Sequence, residues 1–371
     1  MNIILIFSYG ISLKKWDEAG IIDRELHLYK ELERKYNIYF TFVTFGDQQD
    51  EKYSNKITNL KIVPIYKYIK FSNLRIINFI KTLYFPFKTY KIFNNADLIK
   101  TNQLNGSWVG IVLKSLLNTP LIVRTGFNLY EFSIMEKKPF FIRFFFYLLT
   151  QFSLIFSNVY IVTSNADKKF LREKFFNSKN IEIIPNWVKN ITKGDNKKRY
   201  ENKILSVGRL EEQKNYKDLI IAISNSEIEL DIVGEGSLKK ELMEVANLHK
   251  SKVNFLGTLS HSELLKLYTK YKIFVLSSKF EGNPKVVLEA MSYGALVVAA
   301  KNKNIQEIIT NEVNGIMFSN LEDLQKLINY YMENTSDRNE ITKKAYEKIE
   351  LTNLFDVILE KEFKLYKNLI N

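Results

Sequence analysis

Short β-branched runs alternate with longer stretches of helical period along most of the chain. In the first half NIILIF, IYFTFVTF, LKIVPI, DLIKT, PLIVRT and VYIVTS read as strands, with helices over 18–35 and 105–117 among their connections. In the second half KILSVG, IELDIVG, VNFLG, KIFVLSS and ALVVAA repeat the alternation. Such a pattern predicts an α/β protein of two parallel sheets, each with helices on both faces. Between the halves, IEIIPNWVKNITKGDNKKRYENK runs from a strand through Pro185 and Asn186 into a polar stretch without apolar period, which is linker composition. The expected organisation is a first domain over 1–185, a linker over 186–202, a second domain over 203–350, and an amphipathic C-terminal helix over 351–371. In doubly wound sheets ligands bind where strand ends and helix starts converge.

A length of 371 residues, 46% of them hydrophobic, agrees with two cores. Cysteine is absent and there are three histidines, His27, His249 and His261, far apart in the chain. Disulfides, thiolate metal sites and a histidine metal cluster are thereby excluded, and each histidine reads first as a surface or core residue. The formal net charge of +13 favours anionic partners: phosphorylated substrates, an acidic membrane or nucleic acid. Its bland counterpart is a composition rich in Lys, Asn and Ile. The amino end MNIILIFSYG lacks a basic start and a small-residue cleavage site, so it is expected to be a buried strand. FFIRFFFYLLTQFSLIFS is interrupted by Arg143 and Gln151 and is expected to be a buried or membrane-surface helix, not a span.

The candidate chemistry falls at strand ends of the second half. In ILSVGRLEEQKN a strand ends at Gly208, and Arg209 and Lys214 follow. An Arg fork and a Lys point charge suit a diphosphate, although the motif alone is equally a solvated loop. In KFEGNPKVVLEAMSYGALVVAA seven residues separate Glu281 from Glu289. Asn283 is expected to cap a helix, with Pro284 at its first position. Free N–H groups near Lys285 and Val286 would favour an anion or sugar hydroxyls. Glu289 would stand roughly 8 Å further along the axis. Two acids so far apart suit separate hydroxyl acceptors of a polyhydroxylated ligand better than a shared proton. The bland reading is a capped amphipathic helix with two exposed acids.

Taken in order, IPNWV, SVGRLEEQKNYKDLIIAI, IVGEGSLKKEL, VNFLGTLSHSELLKLYTKYKIFVLSS, EGNPKVVLEAMSYGALVVAA and EVNGIMF resemble the family 4 retaining glycosyltransferases. The likeness covers the second domain and extends more loosely over the first. It implies the GT-B fold, with two Rossmann-like domains facing a cleft and the C-terminal helix crossing back to the first. It also implies sugar transfer from a nucleotide-sugar with retention and without metal or other cofactor. Arg209 and Lys214 would then hold the diphosphate, Glu289 the ribose, and Glu281 the transferred sugar. Gly208 and the backbone from Gly282 through Asn283, Pro284 and Lys285 to Val286 would line the donor site. No D-x-D pair occurs in the sequence, which agrees with a site that needs no metal.

The first half departs from the family pattern. WDEAGIIDREL has the single Gly20 where many relatives have a double glycine. Where relatives carry a cleft histidine, IKTNQLNGSW and VRTGFNLY offer Asn102, Gln103, Arg124 and Thr125 by position only. From Lys52 to Ala96 there is no acid, and nine Lys or Arg stand among ten Tyr or Phe. Anionic lipid suits such a stretch, and the expected acceptor is a glycan or lipid-linked glycan, the protein lying in the cytoplasm on the inner face of the membrane. Basic residues and rings also suit nucleic acid, which the transferase motifs make a poor second; composition bias would explain the stretch as ordinary packing. The alternatives to a polysaccharide-assembling transferase are a non-catalytic nucleotide-sugar or nucleic-acid binder, and another GT-B enzyme such as an epimerase.

Overall fold

The computed structural model describes residues 1–189 and 199–370. The chain forms two units: Met1–Ile184 together with Leu359–Asn371, and Pro185–Ile358. The first holds β1 (Asn2–Ile6), β2 (Tyr39–Thr44), β3 (Leu60–Pro64), β4 (Leu98–Thr101), β5 (Leu121–Arg124), β6 (Val159–Val162) and β7 (Ile181–Ile183). They pair in the order β3-β2-β1-β4-β5-β6-β7, in parallel throughout. The second holds β8 (Tyr200–Val207), β9 (Glu229–Val233), β10 (Lys252–Gly257), β11 (Tyr271–Leu276), β12 (Leu296–Ala300) and β13 (Ile316–Phe318). Their order is β10-β9-β8-β11-β12-β13, again parallel.

Alternate residues of the second sheet feed two cores. Ile204, Leu230, Ile273 and Val298 face one, and Leu205, Phe274, Val297 and Ala299 the other. Covering both faces is what a strand apolar but for Lys272, YKIFVL, demands, and every residue of β11 is buried. In each sheet the chain first builds outward on one side of its opening strand and then returns to the other side. The reversals lie between β1 and β4 and between β8 and β11.

Several sequence expectations are corrected. The helix expected over 18–35 is two, Leu13–Glu18 and Ile22–Tyr36; Gly20, at φ +66°, turns the chain between them. The helix expected over 105–117 starts at Ser107, after Gly106 at φ +113°. The tail helix starts at Phe355, because residues 351 and 352 end the preceding helix, Thr335–Thr352. Of the linker expected over 186–202, residues 190–198 lie outside the described residues. Its two ends are structured: Val188 bridges to Leu354, and Arg199 is buried. The Arg199 guanidinium donates to the carbonyls of Tyr268, Tyr271 and Tyr293, groups at element ends that need donors.

The final helix, Phe355–Ile370, is tied into the first unit by buried charge. Glu362 is fully buried and accepts from Lys100 Nζ of β4 at 2.7 Å and from Arg124 of β5 at 3.3 Å. The Tyr366 hydroxyl takes a third bond from Lys100, at 2.7 Å. Burial alone would push the Glu362 carboxyl up, but the charges of Lys100 and Arg124 outweigh it and hold the group below its ordinary value. Burial lowers Lys100 as well. Outside the cluster Tyr36 stacks on Phe363, ring centroids 3.6 Å apart.

Removing one member of such a cluster leaves the others charged in an apolar place. Glu362→Ala should therefore destabilise the first unit by about 3–5 kcal/mol in urea unfolding. The folded state binds fewer protons here than the unfolded chain. The Glu362 contribution should be complete above the ordinary carboxylate value, about 4.3, and fade as pH falls through the lower folded value. Glu362→Gln should flatten that acid limb of the stability profile.

Candidate active site

The candidate residues of the second unit gather at the carboxyl ends of β8 and β11, beside the reversal in strand order. Two loops are locked together there. Leu210 N–H donates to the Glu235 carbonyl at 3.0 Å, and Leu238 N–H donates back to the Leu210 carbonyl at 3.0 Å. Gly208 N–H donates to Val233 at 3.0 Å. The glycines of VGEG serve this contact: a Cβ on Gly234, at φ +142°, would lie 2.0 Å from the Gly208 oxygen, and one on Gly236 would lie 2.4 Å from the Leu210 oxygen. Gly208 itself makes room for Lys214, whose Cε would be 3.0 Å from a Cβ there.

The loop after β11 is laced to the same place. Lys279 N–H donates to the Gln213 carbonyl at 2.9 Å, Gln213 Nε2 to the Phe280 carbonyl at 2.9 Å, and the Ser277 hydroxyl to the Lys214 carbonyl at 2.8 Å. Lys279 also pairs with Glu212. This lacing brings Lys214 Nζ to 2.5 Å from Glu281 Oε1, with 13% and 8% of the two side chains exposed. Asn304 Nδ2 holds the Glu281 carbonyl at 2.6 Å. Arg209 is exposed, and it forms no ion pair among the described residues. The site thus has one cation already matched to a carboxylate and one open to an incoming anion.

Glu289 lies in the helix Lys285–Ser292 and is buried. Its Oε1 is 2.9 Å from His261 Nε2, and its Oε2 accepts from the Tyr268 hydroxyl at 3.4 Å. His261 opens a helix whose capping box, Ser260 with Glu263, sets its direction. From sequence His261 reads first as a surface or core residue, and Tyr268 carries no signal of its own. The S-x-x-E signal in SHSE was legible, but not which residue the histidine would meet.

Asn283 does not cap the helix as expected. Pro284 occupies the cap position without a side-chain bond. The Asn283 amide oxygen instead accepts from Asn186 N–H at 2.9 Å, and its carbonyl accepts from Asn186 Nδ2 at 2.6 Å. The side chain is spent on holding the Pro185-Asn186 segment, and the helix begins without a side-chain cap. Gly282 is buried beside it, and Lys285 and Val286 are half-buried. Lys285 Nζ lies 5.0 Å from the Trp187 ring centroid.

In the first unit Gly20 has open space around its Cα and ends the helix Leu13–Glu18. Asn102 and Gln103 follow β4 at that sheet's reversal. Asn102 N–H donates to the Ile6 carbonyl at 2.8 Å. Gln103 Oε1 accepts from Gly126 N–H at 2.7 Å. The Thr125 hydroxyl donates to the Phe127 carbonyl. Arg124, expected on the acceptor side, is a buried counter-ion of Glu362, the charge it answers lying on the final helix. Among the described residues no group of three or more His, Cys, Asp or Glu could hold a metal ion.

Residues 188–348 match the family model described as glycosyl transferases group 1. Over its second unit the chain carries the group 1 glycosyltransferase domain. This glycosyltransferase is 24% identical over 332 residues to an uncharacterized glycosyltransferase of Methanocaldococcus jannaschii, covering 87% of this chain and 88% of that one. It is 26% identical over 312 residues to the UDP-Gal:alpha-D-GlcNAc-diphosphoundecaprenol alpha-1,3-galactosyltransferase of Escherichia coli, covering 76% and 78% of the two chains. Its fold matches Anabaena Alr3699/HepE, solved with UDP and glucose, at a TM-score of 0.76 and 17% identity over 100% of both chains. The fold of the glycosyltransferase is GT-B, two Rossmann-like units in one chain.

The two cations differ in what their loss would do. Lys214→Met would leave Glu281 charged and largely buried, and should lower the stability of the second unit by about 3–5 kcal/mol. Arg209→Met, at an exposed position, should change it by less than about 0.5 kcal/mol. Urea unfolding of both variants checks the contrast.

Proposed function

We propose that this group 1 enzyme is a metal-independent retaining hexosyltransferase of family 4, which moves a sugar from a nucleoside-diphosphate sugar to a lipid-linked glycan in cell-surface polysaccharide assembly. The observation that carries the reading is the pairing of Lys214 with Glu281 beside the open cation Arg209, at the reversal point of the second sheet. A UDP-sugar donor and a polyprenyl-diphosphate acceptor are supported by the name of the Escherichia coli relative. UDP and glucose bound to the Anabaena protein support the donor class.

In this reading the donor diphosphate lies against Arg209 and Lys214, and Lys214 divides its charge between phosphate and Glu281. Glu281 accepts from hydroxyls of the transferred sugar. Glu289, steadied by His261 and Tyr268, accepts from the ribose. Gly208, Gly282 and the backbone of the helix start at Lys285 and Val286 complete the donor site. The bond between the anomeric carbon and the diphosphate oxygen breaks as the acceptor oxygen bonds to the same face. The acceptor proton passes to the departing phosphate oxygen, so no glutamate need act as nucleophile. The growing charge on the diphosphate is met by the two cations, which leaves no step for a metal. Gly20 is assigned to the donor phosphates, and Asn102, Gln103 and Thr125 to the acceptor side, Arg124 contributing through its hold on the final helix. The acceptor's lipid places the enzyme on the inner face of the cell membrane. No helix among the described residues is long and apolar enough to cross it.

Sugar transfer measured in excess EDTA should proceed at the rate seen without chelator, and Arg209→Ala should reduce it by about 10²–10³-fold with the fold intact. A rate that falls in EDTA and returns with magnesium or manganese would overturn the metal-free reading. An undiminished Arg209→Ala rate would overturn the role of that residue.

The two glutamates should separate by function. Glu289→Gln is expected to weaken nucleoside diphosphate affinity, whereas Glu281→Gln is expected to impair transfer with affinity nearer wild type. Calorimetric titration with UDP and a transfer assay on the same preparations distinguish them. Equal, undisturbed affinities would remove the division of roles.

A further inference from the structure

Two helices of the first unit bury hydroxyl and amide side chains while exposing large apolar ones. Along Arg75–Thr89 the buried positions include Asn78, Thr82 and Thr89 with Phe85 and Pro86, whereas Ile76, Ile80, Tyr84 and Phe87 form an exposed row. Their spacing of four, four and three places them on one helical face. The buried polar groups are satisfied in that orientation. Asn78 Oδ1 accepts from Ser72 N–H at 2.7 Å, Thr82 accepts from Trp108 Nε1 at 3.1 Å, and Thr89 donates to the Phe85 carbonyl at 2.8 Å. The helix Phe140–Phe156 repeats the arrangement. Thr150 and Ser153 are buried together with Leu149 and Leu154, while Phe141, Phe144, Phe152 and Ile155 are exposed. Ser153 bonds Ser107 of the helix Ser107–Leu117 at 2.8 Å.

The two helices touch beside these rows. Phe79 of one helix and Phe145 of the other have ring centroids 5.7 Å apart, and Phe79 meets Trp108 at 4.9 Å. Ile76 and Phe141 have 76% and 69% of their surface exposed. In water this order of residues is unfavourable, because hydroxyls are withdrawn from solvent while large apolar groups remain in it. Against lipid the order is favourable.

Charge selects the occupant. Both helices lie in stretches without Asp or Glu, from Lys52 to Ala96 and from Lys137 to Ala166. Lys81 and Lys88 are anchored on the carbonyls of Lys70 and Tyr68, so their charge is held close to the first row. A second copy of the chain would press the same cations together; an anionic surface neutralises them. Neither helix is long and apolar enough to span a bilayer, so the geometry is that of helices lying on it.

We propose that the adjoining outer faces of the Arg75–Thr89 and Phe140–Phe156 helices are a docking surface for an anionic lipid bilayer. The rings and isoleucines enter the boundary between headgroups and chains, and the flanking lysines meet lipid phosphates. The inference gives the membrane-borne acceptor of the transferase reading its place of encounter, and it rests on that reading for its purpose but not for its geometry.

Co-sedimentation with phosphatidylglycerol–phosphatidylcholine vesicles, against pure phosphatidylcholine vesicles, tests it. The wild type should bind the anionic vesicles and lose part of that binding as salt rises. Ile80→Glu/Phe141→Glu should lose about tenfold or more of its partitioning at every salt concentration, since it removes apolar insertion. Lys81→Gln/Lys88→Gln should lose binding chiefly at low salt. UDP affinity in solution, unchanged in both variants, reports that the fold and donor site persist. Wild-type binding without preference for anionic lipid, or equal binding by all three proteins, overturns the surface while intact UDP affinity leaves the transferase reading standing. Loss of UDP affinity in the wild type, with vesicle binding retained, does the reverse. A wild-type dimer by light scattering that the glutamate variant converts to monomer would overturn the lipid occupant in favour of a second copy.

Discussion

Parallel strands can be neighbours only if the chain crosses back over a face of the sheet between them, and both sheets here are parallel throughout. Each crossing lays cover on one face, so both faces of β11 and its neighbours are buried and the strands become largely apolar runs. The chain must also reverse its direction of growth once if it is to cover both sides. Next to that reversal the loops leaving β8 and β11 are laced to each other, and the lacing gathers Gly208, Arg209, Lys214 and Glu281 at the strand ends. The site is a consequence of how a parallel sheet is closed.

Charge in this protein is managed in two ways. Where it is buried it is answered at once, Lys214 by Glu281 and Glu362 by Lys100 and Arg124. Glu289 is held similarly by His261 and Tyr268. Such pairs contribute little net stability but a large penalty when split, so they fix geometry more than they add strength. Arg209 is exposed and outside these pairs. A ligand phosphate meeting Arg209 displaces water, whereas one meeting Lys214 must share a cation that already has a partner.

Most strands were legible because β-branched runs of four to eight residues have few other uses, and the motif order carried the second unit's chemistry. β13 escaped as a strand because three residues show no period. The break at Gly20 was hidden inside a continuous helical pattern, since one glycine is compatible with either outcome until its φ is known. Lys214 and Glu281 were each singled out, but their pairing is between residues 67 apart, set by loop-to-loop backbone bonds that leave no composition signal. Asn283 and the linker end that holds Arg199 misled for one reason. A polar residue next to a helix start or in a polar stretch reads as a cap or a solvated group, while its actual partners were backbone carbonyls and amides distant in sequence. The two helices that bury hydroxyls were visible as a basic aromatic stretch and an apolar segment; which side faced inward needed coordinates.

The final helix begins among the last residues of the second unit and ends in the first. The first unit is therefore interrupted in the chain, and its carboxylate for Lys100 arrives 262 residues later. During synthesis the first sheet must wait, with a lysine in its interior still lacking that counter-charge, until the whole second unit has emerged. Order of birth and order of completion are inverted: the unit made first is finished last. Any event that halts translation within the second unit leaves a first sheet that is paired but electrically incomplete, the kind of exposed intermediate that chaperones and proteases sort.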